Sequence, residues 1–272
     1  MTESITVTGM ILAAGPIGEY DRRIVLLTKE KGKISAFAKG VRRPTAMLAG
    51  CSQPFVFGKF TLYEGRNSYT LQAAEVENYF AELRNDLESV YYGVYFCEFA
   101  ENVTREGLPA KEELKVLYRS LGALMKKSIG AKLVRSVFEL KMLSVGGISP
   151  QVYECVKCRK KENLVWFSAK SGGCICKACA DKLWEEEVRM QDPVSQAGDG
   201  MAGTGLTMGE HYVPVSGSTL YTMQYILATP IESLYTFTVS EDVLWQLIKI
   251  LKEFVGIHIG RQFKSLEMLE LL

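Results

Sequence analysis

The segments Ile5-Thr6-Val7-Thr8-Gly9-Met10-Ile11-Leu12, Arg23-Ile24-Val25-Leu26-Leu27-Thr28, Lys33-Ile34-Ser35-Ala36-Phe37-Ala38, Phe55-Val56-Phe57-Gly58-Lys59-Phe60-Thr61-Leu62-Tyr63 and Ser68-Tyr69-Thr70-Leu71-Gln72-Ala73-Ala74 are rich in β-branched and aromatic residues. Such side chains suit a pleated, half-buried surface, so each segment reads as a strand. Gly18, Gly32, Gly40 and Gly65 fall at the turns or strand ends, and Gly58 inside a strand marks a bulge or barrel corner. Five short strands in one small domain predict a small β-barrel over residues 1–80. The OB-fold is the leading candidate, because five strands is its number and oligonucleotides are among its common ligands.

Beyond residue 85 the apolar period becomes helical. Asn85 or Asp86 can cap a helix carrying Val90, Tyr91, Val94, Tyr95, Glu98 and Phe99. A second follows Pro109 with Leu114, Leu117, Tyr118, Leu121, Leu124 and Met125, and a third runs through Leu133, Val134, Val137, Phe138 and Leu140 to Gly146-Gly147. Helical patterns resume at Ala180, over 218–228 and over 243–259, the last with Ser240-Glu241-Asp242 as its cap, and a short segment closes the chain from Phe263. The expected class is therefore α+β: an N-terminal OB-fold barrel over 1–80 followed by a helical domain over 81–272. Residues 193–217, with Gly198, Gly200, Gly203, Gly205 and Gly209 and few large apolar groups, are expected to form a flexible loop. They lack the G-x-x-x-x-G-K-[ST] pattern of a phosphate-binding loop.

Cys155-x2-Cys158 and Cys176-x2-Cys179, seventeen residues apart, have the ligand spacing of a structural zinc site. Each turn aims two thiolates at one point, and four sulfurs fill a tetrahedron and leave no position for substrate. A zinc module embedded at 151–182 is expected. Disulfides are the competing reading, but seven cysteines is an odd number and Met1-Thr2-Glu3-Ser4 lacks the basic start of a signal peptide. Cys174 is assigned to packing, and Cys51 and Cys97 to the core.

The total charge is +1, but residues 1–72 hold ten basic against five acidic side chains, which leaves −4 for the remainder. A basic barrel on a mildly acidic body points to a polyanionic ligand. Lys39-Gly40-Val41-Arg42-Arg43 leaves a strand through a glycine and presents three cations from a loop. Lys39, Arg42 and Arg43 are the candidate DNA-backbone contacts, with Arg22, Arg23, Lys29, Lys31 and Lys33 extending the patch. Phe37, Phe57, Tyr63 and Tyr69 are placed where bases could stack, though alternation sends about half of such residues inward. No G-x-S-x-G or H-E-x-x-H motif is present and the two histidines, His211 and His258, lie near no nucleophile motif, so an enzyme is not expected. No apolar run approaches the roughly 18 residues of a membrane span, and a cytoplasmic, nucleoid-associated protein is expected.

Several stretches, in order, resemble the RecO family of bacterial DNA repair and recombination proteins. They are residues 21–33, 38–44 and 53–55, residues 138–150, the four cysteines with Gly172-Gly173, and Phe263-Lys264-Ser265-Leu266. The most selective are Thr28-x-x-x-Gly32-Lys33 and Lys39-Gly40-Val41-Arg42-Arg43. The resemblance implies binding to single- and double-stranded DNA, annealing of complementary strands, and help in loading RecA onto strands covered by single-strand-binding protein. It also implies RecR as a partner. The Gln196–His211 stretch is longer than is usual in the family, and Cys174 stands where an aliphatic residue is more common. Lys132 and Arg135, three apart on one predicted helix among Lys126, Lys127 and Lys141, are the candidate contacts for the acidic tail of single-strand-binding protein. The alternative is an OB-fold, zinc-containing nucleic-acid-binding protein of transcription or translation.

Overall fold

Strict alternation in the third strand, β3 (Gly32–Ala38), puts Ile34, Ala36 and Ala38 on one buried face while Lys33, Ser35 and Phe37 lie on the other. The same period aims Phe60 and Leu62 of β4 (Phe57–Glu64) and Ile24 and Leu26 of β2 (Asp21–Thr28) into one core with Val7, Ile11 and Leu71. This computed structural model describes residues 4–66, 68–191 and 212–269. With β1 (Ser4–Ile17) and β5 (Tyr69–Asn78), these strands close a barrel in the order β1-β2-β3-β5-β4. The β3–β5 pair is parallel and the other pairs are antiparallel. Five strands in this order make the OB-like barrel the sequence predicted.

Closure depends on β1, which is longer than the Ile5–Leu12 segment its pattern marks. Residues Ser4–Met10 pair with β4 and Gly9–Ile17 pair with β2, with a register shift between Ile11 and Ala13. One bent strand thus belongs to both halves of the barrel. Phe55 does not join β4: its φ is 72°, and its N–H donates to Ile11 O at 2.9 Å. A register shift does fall between Phe57 and Gly58.

The helices α1 (Leu87–Val103), α2 (Lys111–Lys126) and α3 (Ala131–Val145) follow. Asp86 is the N-cap of α1 and accepts from the Ser89 N–H at 3.1 Å. Aromatic side chains bind α1 to α3 and to the residue that precedes the terminal helix α7 (Lys264–Leu269): Phe96 stacks on Phe138 at 4.1 Å and Phe99 on Phe263 at 5.4 Å. Among the described residues, those within 1–148, 229–238 and 261–272 make one compact unit and those within 149–228 and 239–260 another. The sequence-based boundary at residue 80 therefore lies inside the first unit, because the barrel and α1–α3 pack together.

The second unit contains a three-stranded antiparallel sheet in the order β7-β6-β8, from β6 (Leu164–Ser168), β7 (Gly173–Cys176) and β8 (Tyr212–Pro214). It also contains α4 (Lys177–Gln191), α5 (Gly217–Ala228) and α6 (Glu241–His258). Phe167 meets Phe254 edge-on at 5.9 Å in its core. Three expectations are corrected here. Of the 193–217 loop, residues up to 211 lie outside the described residues, but Tyr212–Pro214 pair with β6 as a strand and Gly217 opens a helix. The helix expected from Ala180 starts three residues earlier, directly after Cys176. Ser240 occupies the cap of α6 without a side-chain cap hydrogen bond. Among the described residues no helix is long and apolar enough to cross a membrane.

Candidate nucleic-acid interface and metal centre

The basic segment after β3 is built by two anchors. Val41 is buried in the barrel core, and the Gly40 N–H donates to the Asp21 carboxylate at 2.7 Å. Gly40 has φ +66°, a left-handed turn that suits glycine. The Arg42 N–H then donates to Tyr20 O at 2.9 Å, joining this loop to the β1–β2 turn. Lys39, Arg42 and Arg43 are left exposed. The Arg42 guanidinium makes a long 3.3 Å bond to Gly18 O, and that of Arg43 lies 5.1 Å over the Tyr20 ring. None of the three forms an ion pair among the described residues. Tyr20 and the almost fully exposed Met47 (95%) add uncovered apolar surface. Neither was singled out from sequence, since a lone tyrosine or methionine in a turn has no pattern.

The rest of the predicted patch divides by what each cation touches. Arg22 is half-buried and donates to Ala49 O at 3.3 Å and Ser52 Oγ at 3.1 Å, holding the 42–52 loop against the barrel. Lys33 donates to Glu101 O at 2.7 Å, so it caps backbone of α1. Lys31 pairs with Glu64 at 3.2 Å beside Tyr69. That hydrogen bond raises the Lys31 pKa, while Tyr69 and then Lys31 hold the Glu64 carboxyl below its ordinary value. Arg22, Lys31 and Lys33 are thus each held by a partner within the fold, unlike Lys39, Arg42 and Arg43. Arg23, with one bond to Ser35 Oγ at 3.1 Å, is exposed, and so is Lys29 at the far end of β2.

The Thr28-x-x-x-Gly32-Lys33 motif builds a joint. Thr28 Oγ1 donates to Gly32 O at 2.8 Å, and the backbone of Lys31–Lys33 is zipped to residues 105–107. Gly32 has φ +65°, and a Cβ there would meet Arg105 O and Leu108 O at 2.2 Å.

Of the four aromatic candidates, Phe37, Phe57, Tyr63 and Tyr69 are all half-buried. Phe57 faces Tyr118 of α2 at 4.8 Å, and Tyr69 donates to Glu64 at 2.9 Å. Lys132 is exposed but Arg135 is not its partner on a free face. The Arg135 Nε lies 2.6 Å from Glu139 Oε1, with the side chain 13% exposed and its guanidinium 5.4 Å over Tyr95. Tyr95 donates to the same carboxylate at 2.5 Å. Lys141 is buried and donates to Thr229 O at 2.7 Å. The expectation that Lys132 and Arg135 share an open face is corrected: the buried carboxylate of Glu139 requires the arginine.

In the second unit Cys155, Cys158, Cys176 and Cys179 bring their sulfurs within 4.8 Å of one another, with Cys158 and Cys176 at 3.6 Å. Tetrahedral zinc with Zn–S bonds of about 2.3 Å sets sulfurs roughly 3.8 Å apart, so the cluster fits such an ion. Main-chain geometry makes it. Arg159 N donates to Cys155 O, Cys155 N to Lys160 O and Lys177 N to Asn163 O, while Arg159 and Asn163 adopt left-handed φ of 61° and 53°. The second pair sits at the start of α4, where free N–H groups favour thiolates. Burial pushes the Cys155 thiol up, but N–H groups of Cys176, Cys158 and Lys157 outweigh it and bring the value to about 6. Burial, with hydrogen bonds to the neighbouring thiols, instead holds Cys179 at about 12. Four thiols this close ionise together only around a cation.

Cys174 stands outside the cluster, buried opposite Phe167, its thiol pushed up to about 12 by burial. Cys97 is buried as expected. Cys51 is corrected from core to half-buried, 3.9 Å from the Tyr79 hydroxyl.

With barrel, basic loop and cysteine cluster in place, comparison with known proteins is decisive. Residues 1–80 match the family described as Recombination protein O N terminal, and residues 84–186 and 194–267 match Recombination protein O C terminal. The chain belongs to the RecO family. It is 30% identical over 266 residues to the DNA repair protein RecO of Alkaliphilus metalliredigens, covering 97% of this chain and 98% of that one. It is 27% identical to that of Acetivibrio thermocellus, covering 97% and 96%. Against that of Bacillus subtilis it is 30% identical over 174 residues, 64% of this chain and 68% of the relative. This is a DNA repair family, and this member carries the closed barrel and the four-cysteine cluster described above.

Proposed function

We propose that this RecO chain is a non-enzymatic mediator of DNA repair and homologous recombination. It binds single- and double-stranded DNA, anneals complementary strands, and helps load RecA onto strands covered by single-strand-binding protein, with RecR as a partner. The observation that carries the reading is the exposed trio Lys39, Arg42 and Arg43, free of ion pairs, on a loop held rigid by Asp21 and Val41. Cations held at a fixed place on a barrel rim bind phosphates without reading sequence, and binding releases condensed counterions. Screening the backbone charge also removes part of the repulsion between two approaching strands. Annealing then needs no catalytic residue.

The zinc ion, when bound by Cys155, Cys158, Cys176 and Cys179, supplies cross-linking of residues 151–182 and no reaction step. Support comes from the sulfur geometry and the N–H groups around Cys155. Single-strand-binding protein is proposed as a partner on family grounds, and Lys132 is the one of the two expected tail contacts that stays exposed.

Annealing of complementary oligonucleotides, followed by fluorescence with and without single-strand-binding protein, tests the reading. The expected result is acceleration in both arms, the covered arm responding to RecR. A chain that binds DNA at low salt yet leaves the annealing rate unchanged would sink it.

A further inference from the structure

A second basic site lies at the other end of the barrel. A cleft of about 480 Å³ opens in the first unit beside α2, with Lys29, Lys111, Lys115 and Arg119 among its lining against Glu77 and Glu232. Lys115 is held by Glu112 at 3.3 Å and Glu232 at 3.7 Å. Lys29, Lys111 and Arg119 are exposed and form no ion pair among the described residues. Below them are the half-buried rings of Phe57 and Tyr118, fixed edge to face at 4.8 Å. Asn78 donates to the Tyr118 hydroxyl at 3.2 Å and Phe80 closes on the same ring at 5.1 Å, so the aromatic floor is locked before any ligand arrives.

Cations around an aromatic floor are the two elements a single nucleic-acid strand requires: phosphates for the charges and unpaired base faces for the rings. Low-dielectric walls concentrate the field of the cations in the cleft, where the Glu232 backbone N–H together with the Lys115 and Arg119 charges already holds the Glu232 carboxyl below its ordinary value. The place differs from the basic rim. Arg22 and Arg23 begin β2 beside the Lys39–Arg43 loop, whereas Lys29 follows its last residue. At about 3.3 Å per residue the two ends are on the order of 20 Å apart.

We infer that this cleft is a second single-strand site, taking a nucleotide with its base against Phe57 and Tyr118 and flanking phosphates on Lys29, Lys111 and Arg119. The inference rests on the DNA-binding reading above and adds to it: one chain holds two strands, one at each end of the barrel. Annealing then follows from local concentration as well as charge screening. Glu77 and Glu232 exclude a densely charged duplex from the cleft and accept hydrogen bonds from exposed base amino groups.

The test uses full-length protein and a short oligonucleotide carrying 5-iodouracil, irradiated and mapped by mass spectrometry. Crosslinks are expected on peptides containing Phe57 or Tyr118, as well as near Tyr20. Lys111→Glu/Arg119→Glu, at two exposed positions, should remove the first set, keep the second, and slow annealing at least tenfold. Its salt slope for single-strand binding should fall by about 1.4, two phosphates at roughly 0.7 each. The Arg42→Glu/Arg43→Glu protein should show the opposite crosslink pattern. Crosslinks confined to the Tyr20 region, with annealing unaffected by Lys111→Glu/Arg119→Glu, overturn the second site while leaving the first intact. Absence of crosslinks at both ends overturns both sites.

Discussion

Replacing Arg42 and Arg43 with alanine separates a DNA contact from a structural one, because neither guanidinium is needed to hold the loop. Arg42 loses one exposed 3.3 Å bond to Gly18 O and Arg43 its position over Tyr20. An exposed cation–π contact is worth about 0.5–1 kcal/mol, so folding should weaken by no more than roughly 1 kcal/mol. The anchors, Gly40 to Asp21 and Arg42 N–H to Tyr20 O, are untouched by these side-chain changes. DNA binding should respond much more. Three phosphates neutralised by Lys39, Arg42 and Arg43 on a single strand give a slope of log Kobs against log[salt] near −2, and loss of two leaves about −0.7. Between about 50 and 200 mM salt the parent trio then loses about 20-fold in affinity and the variant about threefold. If the cleft also contributes, both slopes steepen by the same amount and their difference persists. Fluorescence anisotropy with a labelled oligonucleotide, over a salt series, measures it. An unchanged slope in a variant of normal thermal stability would show that the trio touches no phosphate.

Arg22→Ala should do the reverse, lowering stability by about 1–2 kcal/mol through its lost bonds to Ala49 O and Ser52 Oγ and leaving the salt slope of the rim intact, as chemical denaturation and anisotropy will report. Metal analysis should find about one zinc per chain; Cys176→Ser should lose it and Cys174→Ser keep it, and the opposite pattern would displace the proposed ligand set. Glu139→Gln should cost about 3–5 kcal/mol, since it strands the half-buried Arg135, and a neutral effect in a denaturation series would contradict the ion pair. The Asp86 carboxyl is held below its ordinary pKa by the Ser89 hydroxyl and N–H, so its cap contributes above the unfolded pKa and is lost as pH falls through the lower folded value. The stability gap between parent and Asp86→Ala should therefore close in acid, and a gap that stays constant to the lowest pH would refute the cap.

Period and spacing carried much of this molecule. Alternation in Gly32–Ala38 and Phe57–Glu64 is a local consequence of the pleat, and three-and-four spacing in α2 of the helix, so both are visible without coordinates. The paired C-x-x-C turns are legible for the same reason: each turn is made by four consecutive residues, and only their meeting needs the fold. Which cations remain free could not be read in this way. Arg22, Lys31 and Lys33 look like Lys39, Arg42 and Arg43 in a charge count, but their partners, Ser52, Glu64 and Glu101, lie 30, 33 and 68 residues away. Arg135 is lost to Glu139, one turn along the same helix, because tertiary packing buries that carboxylate with Tyr95 from α1. The cleft joins Lys29 and Phe57 to Arg119 and Glu232. Local sequence sets the backbone's period, but a side chain's availability depends on desolvation and on partners that only the folded chain brings within reach.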